Sequence, residues 1–172
     1  MSPGTVLGPA VAFDDLRQVE EDLPQPVAVI TGRSSSGEPV GMTVSSLTSV
    51  SLAPPLVLFC PAVTSRAWAA AREQGSFAVN ILGHKHSELA VRFAGRGDRF
   101  AGLRTLPTDD GIPVLADALT VLVCDVRDEH PAGDHTVVLG GVRAVHALRD
   151  GTGLDTVSLR VRGASARIPA AR

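Results

Sequence analysis

The sequence predicts a mainly antiparallel β protein with helical insertions, closing into a small barrel. Three observations carry that expectation. At least six short β-forming runs follow one another with turn chemistry between them, hairpins read at both ends of the chain, and no strand–helix alternation appears that would build a parallel sheet. Two-stranded pieces are marginal alone, so the hairpins should join and the barrel close. The 172 residues read as one domain over 1–172, with 1–10 and 164–172 as loose arms.

Each element has a local reason. Phe13, Leu16, Val19 and Leu23 recur with acids between them, which fits a short amphipathic helix over Val11–Leu23 that Pro24 and Pro26 end. Val27–Thr31 reads as a strand, Ser34-Ser35-Ser36-Gly37 as a turn and Pro39–Ser45 as the returning strand. The stretch Gly41–Cys60, GMTVSSLTSVSLAPPLVLFC, continues that strand, turns at Ala53-Pro54-Pro55 and ends in the apolar strand Leu56–Cys60. In its first half, hydroxyl residues alternate or pair with Val44, Leu47, Val50 and Leu52, so an extended chain would bury aliphatics and display hydroxyls. Such a face either hydrogen-bonds a flat polar ligand or decorates the wet side of a sheet.

Pro61 stops the apolar strand, and Thr64-Ser65 offers an N-cap to a helix over Arg66–Glu73 that Gly75 closes. A helix start with free N–H groups, a capping hydroxyl and Arg66 in its first turn suits a phosphate, although an ordinary capped helix has the same sequence. Phe77–Leu82 is the next strand, and His84–Ala94 a helix with Leu89, Ala90 and Phe93 on its apolar side. Gly95–Pro113 reads as an irregular surface loop of the kind that covers sites. Leu119–Val126 and His135–His146 form the second hairpin around a turn at Glu129–Asp134. Within it Val137, Leu139 and Val142 point inward, and Gly140-Gly141 marks a bulge or a close approach. A turn at Asp150–Gly153 and a last strand at Val157–Val161 complete the chain.

Composition narrows the function. Hydrophobic residues make up 44% of the chain, and a net charge of −2 with a pI near 6.2 gives no electrostatic reason to bind nucleic acid or an anionic membrane. Cys60 and Cys124 sit in aliphatic runs without Cys-x-x-Cys or Cys/His spacing, so they read as buried strand thiols. His84 and His86 lack a ligand partner at metal spacing, so no metal site is expected. No secretory pattern opens the sequence and no apolar run approaches the ~20 residues that span a bilayer, so a cytoplasmic protein is expected.

Missing motifs remove the phosphate-loop kinases, Rossmann dehydrogenases and α/β-hydrolases, since G-x-x-x-x-G-K, G-x-G-x-x-G after a first strand, and G-x-S-x-G are all absent. Three features remain: the hydroxyl-rich stretch, the helix start at Ser65-Arg66, and His135. Placed at a strand head after Gly133-Asp134, His135 can project into a cleft, or can be an ordinary turn histidine.

The ordered set GMTVSSLTSVSLAPPLVLFC, TSRAW, SFAVNIL, ELAVRFA, DRFAG and GDHTVVLGGV, spread from Pro24 to Gly163, resembles the flavin reductase family with the FMN-binding split barrel. That family includes reductase components of two-component flavin-dependent monooxygenases. The resemblance implies that Thr43, Val44, Ser45 and Ser46 face the flavin ring, Phe59 and Cys60 lie along its ribityl chain, and Ser65 and Arg66 hold its phosphate. It further implies that Arg92 and Phe93 are flavin contacts and that His135 sits near the nicotinamide, as a positioning and polarising group. FMN or FAD would be the cofactor, NADH or NADPH the co-substrate, a flavin-dependent monooxygenase the partner, and a homodimer the assembly. Two alternatives stay open: a flavin-binding split-barrel protein without turnover, and a pyridoxamine-phosphate-oxidase-like oxidase.

Overall fold

A computed structural model describes residues 23–156 and begins with the expected hairpin, β1 (Ala28–Arg33) turning through Ser34–Glu38 into β2 (Pro39–Val44). Gly37 makes the turn possible with φ +82°, and its N–H donates to the Ser34 carbonyl at 2.9 Å. The predicted helix over Val11–Leu23, apart from Leu23 itself, the strand at Val157–Val161 and both arms lie outside the described residues.

After β2 the chain forms a second hairpin, β3 (Thr48–Leu52) with β4 (Pro55–Phe59), then α1 (Arg66–Ala71) and a 3-10 turn over Arg72–Gln74 that Gly75 closes at φ +69°. β5 (Ser76–Ile81) leads through a 3-10 turn to α2 (Ser87–Ala94). A small hairpin, β6 (Thr105–Pro107) with β7 (Pro113–Leu115), precedes the long strands β8 (Thr120–Ala132) and β9 (His135–Ala147). Seven strands join in the antiparallel order β2-β1-β5-β8-β9-β4-β3, and β6-β7 stands apart.

The barrel does not close. Among the described residues no ladder joins β2 to β3, the two ends of the sheet, although only Ser45-Ser46-Leu47 separate them in sequence. The expectation of closure fails at that seam, and the architecture is a split antiparallel barrel.

Both faces of the central strands are buried, by alternation. Val29 of β1, Ala78 of β5 and Val121 and Val123 of β8 enter one core with Phe93 of α2 and Leu115 of β7. Their neighbours Ile30, Phe77, Val79 and Cys124 enter a second core with Phe59 of β4 and Trp68 of α1. Asn80 is fully buried between strands: its Nδ2 donates to the Val29 carbonyl and to Thr31 Oγ1, each at 2.9 Å, and its Oδ1 accepts from the Leu115 N–H at 2.8 Å. One amide thus ties β1, β5 and β7 together.

Several expectations need correction. The turn assigned to Glu129–Asp134 is only Gly133-Asp134, because β8 continues to Ala132, paired with His135. In β9 Val138 is fully buried; Val142 packs half-buried against the second core, whereas Val137 and Leu139 are half-buried outside it. Gly140 owes its identity to the Phe77 ring, whose Cζ would lie 2.6 Å from a Cβ there; the ladder bulges on either side of the glycine pair, at Arg143 of β9 and at Arg127 on the facing strand. The aliphatics of β3 do not point inward: Val50 is 47% and Leu52 90% exposed. Gly95–Pro113 is less irregular than expected, since it contains β6 and the first residue of β7.

Candidate active site

The end of β2 and the residues after it form the floor of a cleft of about 1190 Å³. Phe93 fixes that floor from below: a Cβ on Gly41 would lie 2.8 Å from its ring, so glycine lets α2 pack directly under β2. Thr43 seals the same junction, since its Oγ1 donates to the Ala90 carbonyl at 2.6 Å. With its proton committed there, the hydroxyl has only lone pairs left for a ligand. Ser46 Oγ accepts from the Cys60 N–H at 2.7 Å, joining the ends of β2 and β4 at the seam of the barrel.

One wall is the segment Cys60–Ala67. Ser65 is the N-cap of α1: its Oγ accepts from the Trp68 N–H at 3.2 Å and lies 3.1 Å from Met42 Sδ. Arg66, the first residue of α1, is exposed and has no hydrogen bond or ion pair among the described residues. Trp68 anchors the helix from behind, its Nε1 donating to Glu129 Oε1 at 2.7 Å, with Arg72 bonding the other carboxylate oxygen at 3.2 Å.

His135 closes this wall. The head of β9 is pinned to the same segment, the Thr136 N–H donating to the Pro61 carbonyl and the Val63 N–H to the Asp134 carbonyl, each at 2.9 Å. His135 Nδ1 lies 2.7 Å from Asp134 Oδ1. That hydrogen bond and the histidine's charge hold the Asp134 carboxyl below the usual carboxylate range. An ionised carboxylate only accepts, so Nδ1 carries the proton and Nε2 is the nitrogen left for a ligand.

The opposite wall is the loop from Ala94 to Phe100, part of the Gly95–Pro113 stretch expected to cover a site. Arg99 fastens it. Its Nη1 donates to the Gly41 carbonyl at 2.5 Å, and its Nε and Nη2 donate to the Gly95 carbonyl at 2.9 and 2.7 Å. Burial holds the Arg99 guanidinium below its usual range. Arg96 and Arg99 are site residues beyond those expected from the sequence; the signal that marks them is two cations around Gly97 directly after a helix.

Of the residues proposed from the sequence, Thr43, Val44, Ser45, Ser46, Cys60, Ser65, Arg66, Phe93 and His135 line this one cleft. Two do not. Phe59 is fully buried in an edge-to-face cluster with Trp68 and Phe77, at centroid distances of 5.0 and 5.3 Å, so its side chain belongs to the core. Arg92 turns away to the Ala101 carbonyl, bracing the loop from outside. Cys60 is only half-buried, contrary to the reading of both thiols as buried; burial pushes its thiol up, against a lowering hydrogen bond with Ser46. Cys124 is buried, and its thiol is pushed up to about 12 by burial and by the charge of Asp125. Among the described residues no cluster of His, Cys, Asp and Glu could hold a metal ion, and no helix is long and apolar enough to cross a membrane.

The residues present fit a flavin nucleotide. The floor offers hydroxyls and backbone groups beside the Phe93 ring, and Arg66 is a cation with no partner of its own. The volume exceeds the ~300–1,000 Å³ typical of a single small-ligand pocket, which leaves room for a second ring beside the first.

Known proteins point the same way. The Flavin reductase like domain matches residues 20–157. The chain is 41% identical over 137 residues to the actinorhodin polyketide dimerase of Streptomyces coelicolor, covering 79% of this chain and 77% of that protein. It is 42% identical over 126 residues to the FMN reductase (NADH) SmoA of Agrobacterium fabrum, covering 73% and 71%. The solved structure of a homolog of nitrilotriacetate monooxygenase component B from Mycobacterium thermoresistibile superposes with a TM-score of 0.78 at 39% identity, over 83% of this chain and 80% of that one. Across four of the curated relatives, the chain spans 58% to 77% of their length. A split antiparallel barrel, a cleft at its seam and a family match over most of its length together place this chain in the flavin reductase family.

Proposed function

We propose that this chain is an NAD(P)H-dependent flavin reductase that takes FMN or FAD and supplies reduced flavin to a separate flavin-dependent monooxygenase. The observation that carries the reading is that one cleft gathers the β2 floor, Arg66, whose side chain has no partner among the described residues, and His135, which is bonded to Asp134. When bound, flavin supplies the hydride-accepting ring, and the protein's share is binding, orientation and polarity. Thr43, Val44, Ser45 and Ser46 would line the ring, Cys60 the chain beyond it, and Ser65 and Arg66 the phosphate. Because the Ser65 hydroxyl is engaged by the Trp68 N–H, the charge falls to Arg66. His135, oriented by Asp134, would set the position of the nicotinamide.

Two substitutions separate these roles. Arg66→Ala should weaken flavin binding by about 1–3 kcal/mol, the range of a hydrogen bond to a charged group. Fluorescence titration checks this, and unchanged affinity would remove Arg66 from the site. His135→Ala should lower kcat more than flavin affinity, yet by less than the ~100-fold typical of losing an obligatory proton donor. Steady-state kinetics with flavin varied would show the split; normal kinetics would refute the assigned role.

The same reading covers the rest of the molecule. The chain forms one domain over 1–172, acts in the cytoplasm and binds neither nucleic acid nor membrane. It works as a homodimer, which is supported by the exposed Val50 and Leu52 on β3, an edge strand with one side unpaired among the described residues. Sedimentation velocity of the purified protein tests that state, a monomer at micromolar concentration being the contrary result. The reductase reading as a whole is tested by flavin-dependent NAD(P)H oxidation, and tight flavin binding without turnover would favour the carrier alternative instead.

A further inference from the structure

Among the described arginines, most have their charge engaged: Arg33, Arg92 and Arg99 on backbone carbonyls, Arg72, Arg143 and Arg149 on carboxylates. Three have no such partner, namely Arg66, Arg96 and Arg104, and of these only Arg66 and Arg96 line the cleft. They stand on different walls, Arg66 at the start of α1 and Arg96 on the loop after α2. The loop is built so that Arg96 stays uncommitted. Its one carboxylate, Asp98, accepts from the N–H groups of Phe100 and Ala101, each at 3.0 Å, and so caps the turn rather than pairing with Arg96. Its other cation, Arg99, is spent on the carbonyls of Gly41 and Gly95. Gly97 turns the chain back at φ +98°, a conformation that side chains rarely adopt.

We propose that Arg96 is a specificity-determining residue that binds a second phosphate, one belonging to a dinucleotide, on the wall opposite the flavin-phosphate contact at Arg66. This rests on the reductase reading and deepens it. A mononucleotide flavin brings a single phosphate, which Arg66 alone can meet. FAD carries a second phosphate, joined to the first as a pyrophosphate, and the nicotinamide coenzymes bring a pyrophosphate of their own, with a further phosphate in NADPH. A planar guanidinium without a protein acceptor is suited to each of these groups, and a cleft of about 1190 Å³ has room for the longer ligand.

The test compares kcat/KM for FAD against FMN at fixed NADH, and for NADH against NADPH at fixed FMN, in wild type, Arg96→Ala, Arg96→Lys and Arg104→Ala. In Arg96→Ala either one of the two ratios or the KM for both coenzymes together should change about tenfold, the size of one exposed charge-assisted contact. A fall in the FAD:FMN ratio assigns the flavin pyrophosphate, a shift in the NADH:NADPH ratio the extra coenzyme phosphate, and a KM increase shared by both coenzymes while flavin KM holds assigns their common pyrophosphate. Arg96→Lys should restore most of the effect, and Arg104→Ala, away from the cleft, should leave both ratios in place. If every ratio and KM in Arg96→Ala stays within twofold of wild type, or if Arg104→Ala shifts them equally, the proposal is wrong. Wild-type protein that turns over no flavin would instead defeat the reductase reading, so the two failures are distinct.

Discussion

Phe59→Ala is expected to lower the stability of the fold by about 3–5 kcal/mol, the cost of emptying a large aromatic site in a packed core. Phe59 is fully buried, and its ring meets both Trp68 and Phe77 edge-on. Those two rings also meet each other at 5.5 Å, so removing Phe59 opens a three-ring cluster that joins β4, α1 and β5. The rigid neighbours cannot collapse into the space, because Trp68 is held at its far end by Glu129. Denaturant unfolding should show the loss. Flavin affinity per folded molecule should change far less, because the cleft begins one residue further on, at Cys60. A stable Phe59→Ala protein with impaired flavin binding would return Phe59 to the site.

Asn80→Leu should cost about 3 kcal/mol or more, because several buried groups lose their partners together. The Leu115 N–H would lose its acceptor, and the Val29 carbonyl and Thr31 hydroxyl would lose a donor, at a position with no access to water. Leucine has the branching of asparagine and is the bulkier side chain, so the loss reads as unsatisfied polarity and crowding rather than a cavity. The effect should also reach function. β1, which Asn80 holds, carries β2 as its outer neighbour, and β2 is the floor of the cleft. Thermal unfolding checks the prediction, and a shift of less than about 2 °C would show that the amide is dispensable, since 1 kcal/mol moves Tm by about 2–4 °C in a domain of 150–250 residues.

These two residues also mark where the sequence was legible. Hairpins β1–β2 and β8–β9 were readable because Ser34–Gly37 and Gly133-Asp134 carry their turn chemistry locally. The cap at Ser65 was readable for the same reason. The inward phase of β9 was not, since Thr136-Val137-Val138-Leu139 is apolar in either register, and only packing against Phe59 and Phe77 selects Val138. The exposure of Val50 and Leu52 was hidden because an edge strand with the same alternation can bury or bare its aliphatics. Phe59 and Cys60 are adjacent yet fall on opposite sides of the wall, so a period-two strand put the side chain of only one at the cleft. The Arg99 clamp was beyond reach because its acceptor, Gly41, is 58 residues away.

The measurement that bears most directly on the central claim is oxidation of NADH and NADPH by the purified chain, followed at saturating coenzyme with FMN and FAD added in turn. Little oxidation is expected without added flavin, and a rate that rises and saturates with at least one flavin, with a higher flavin KM in Arg66→Ala. No acceleration by either flavin with either coenzyme, from folded protein, would contradict it.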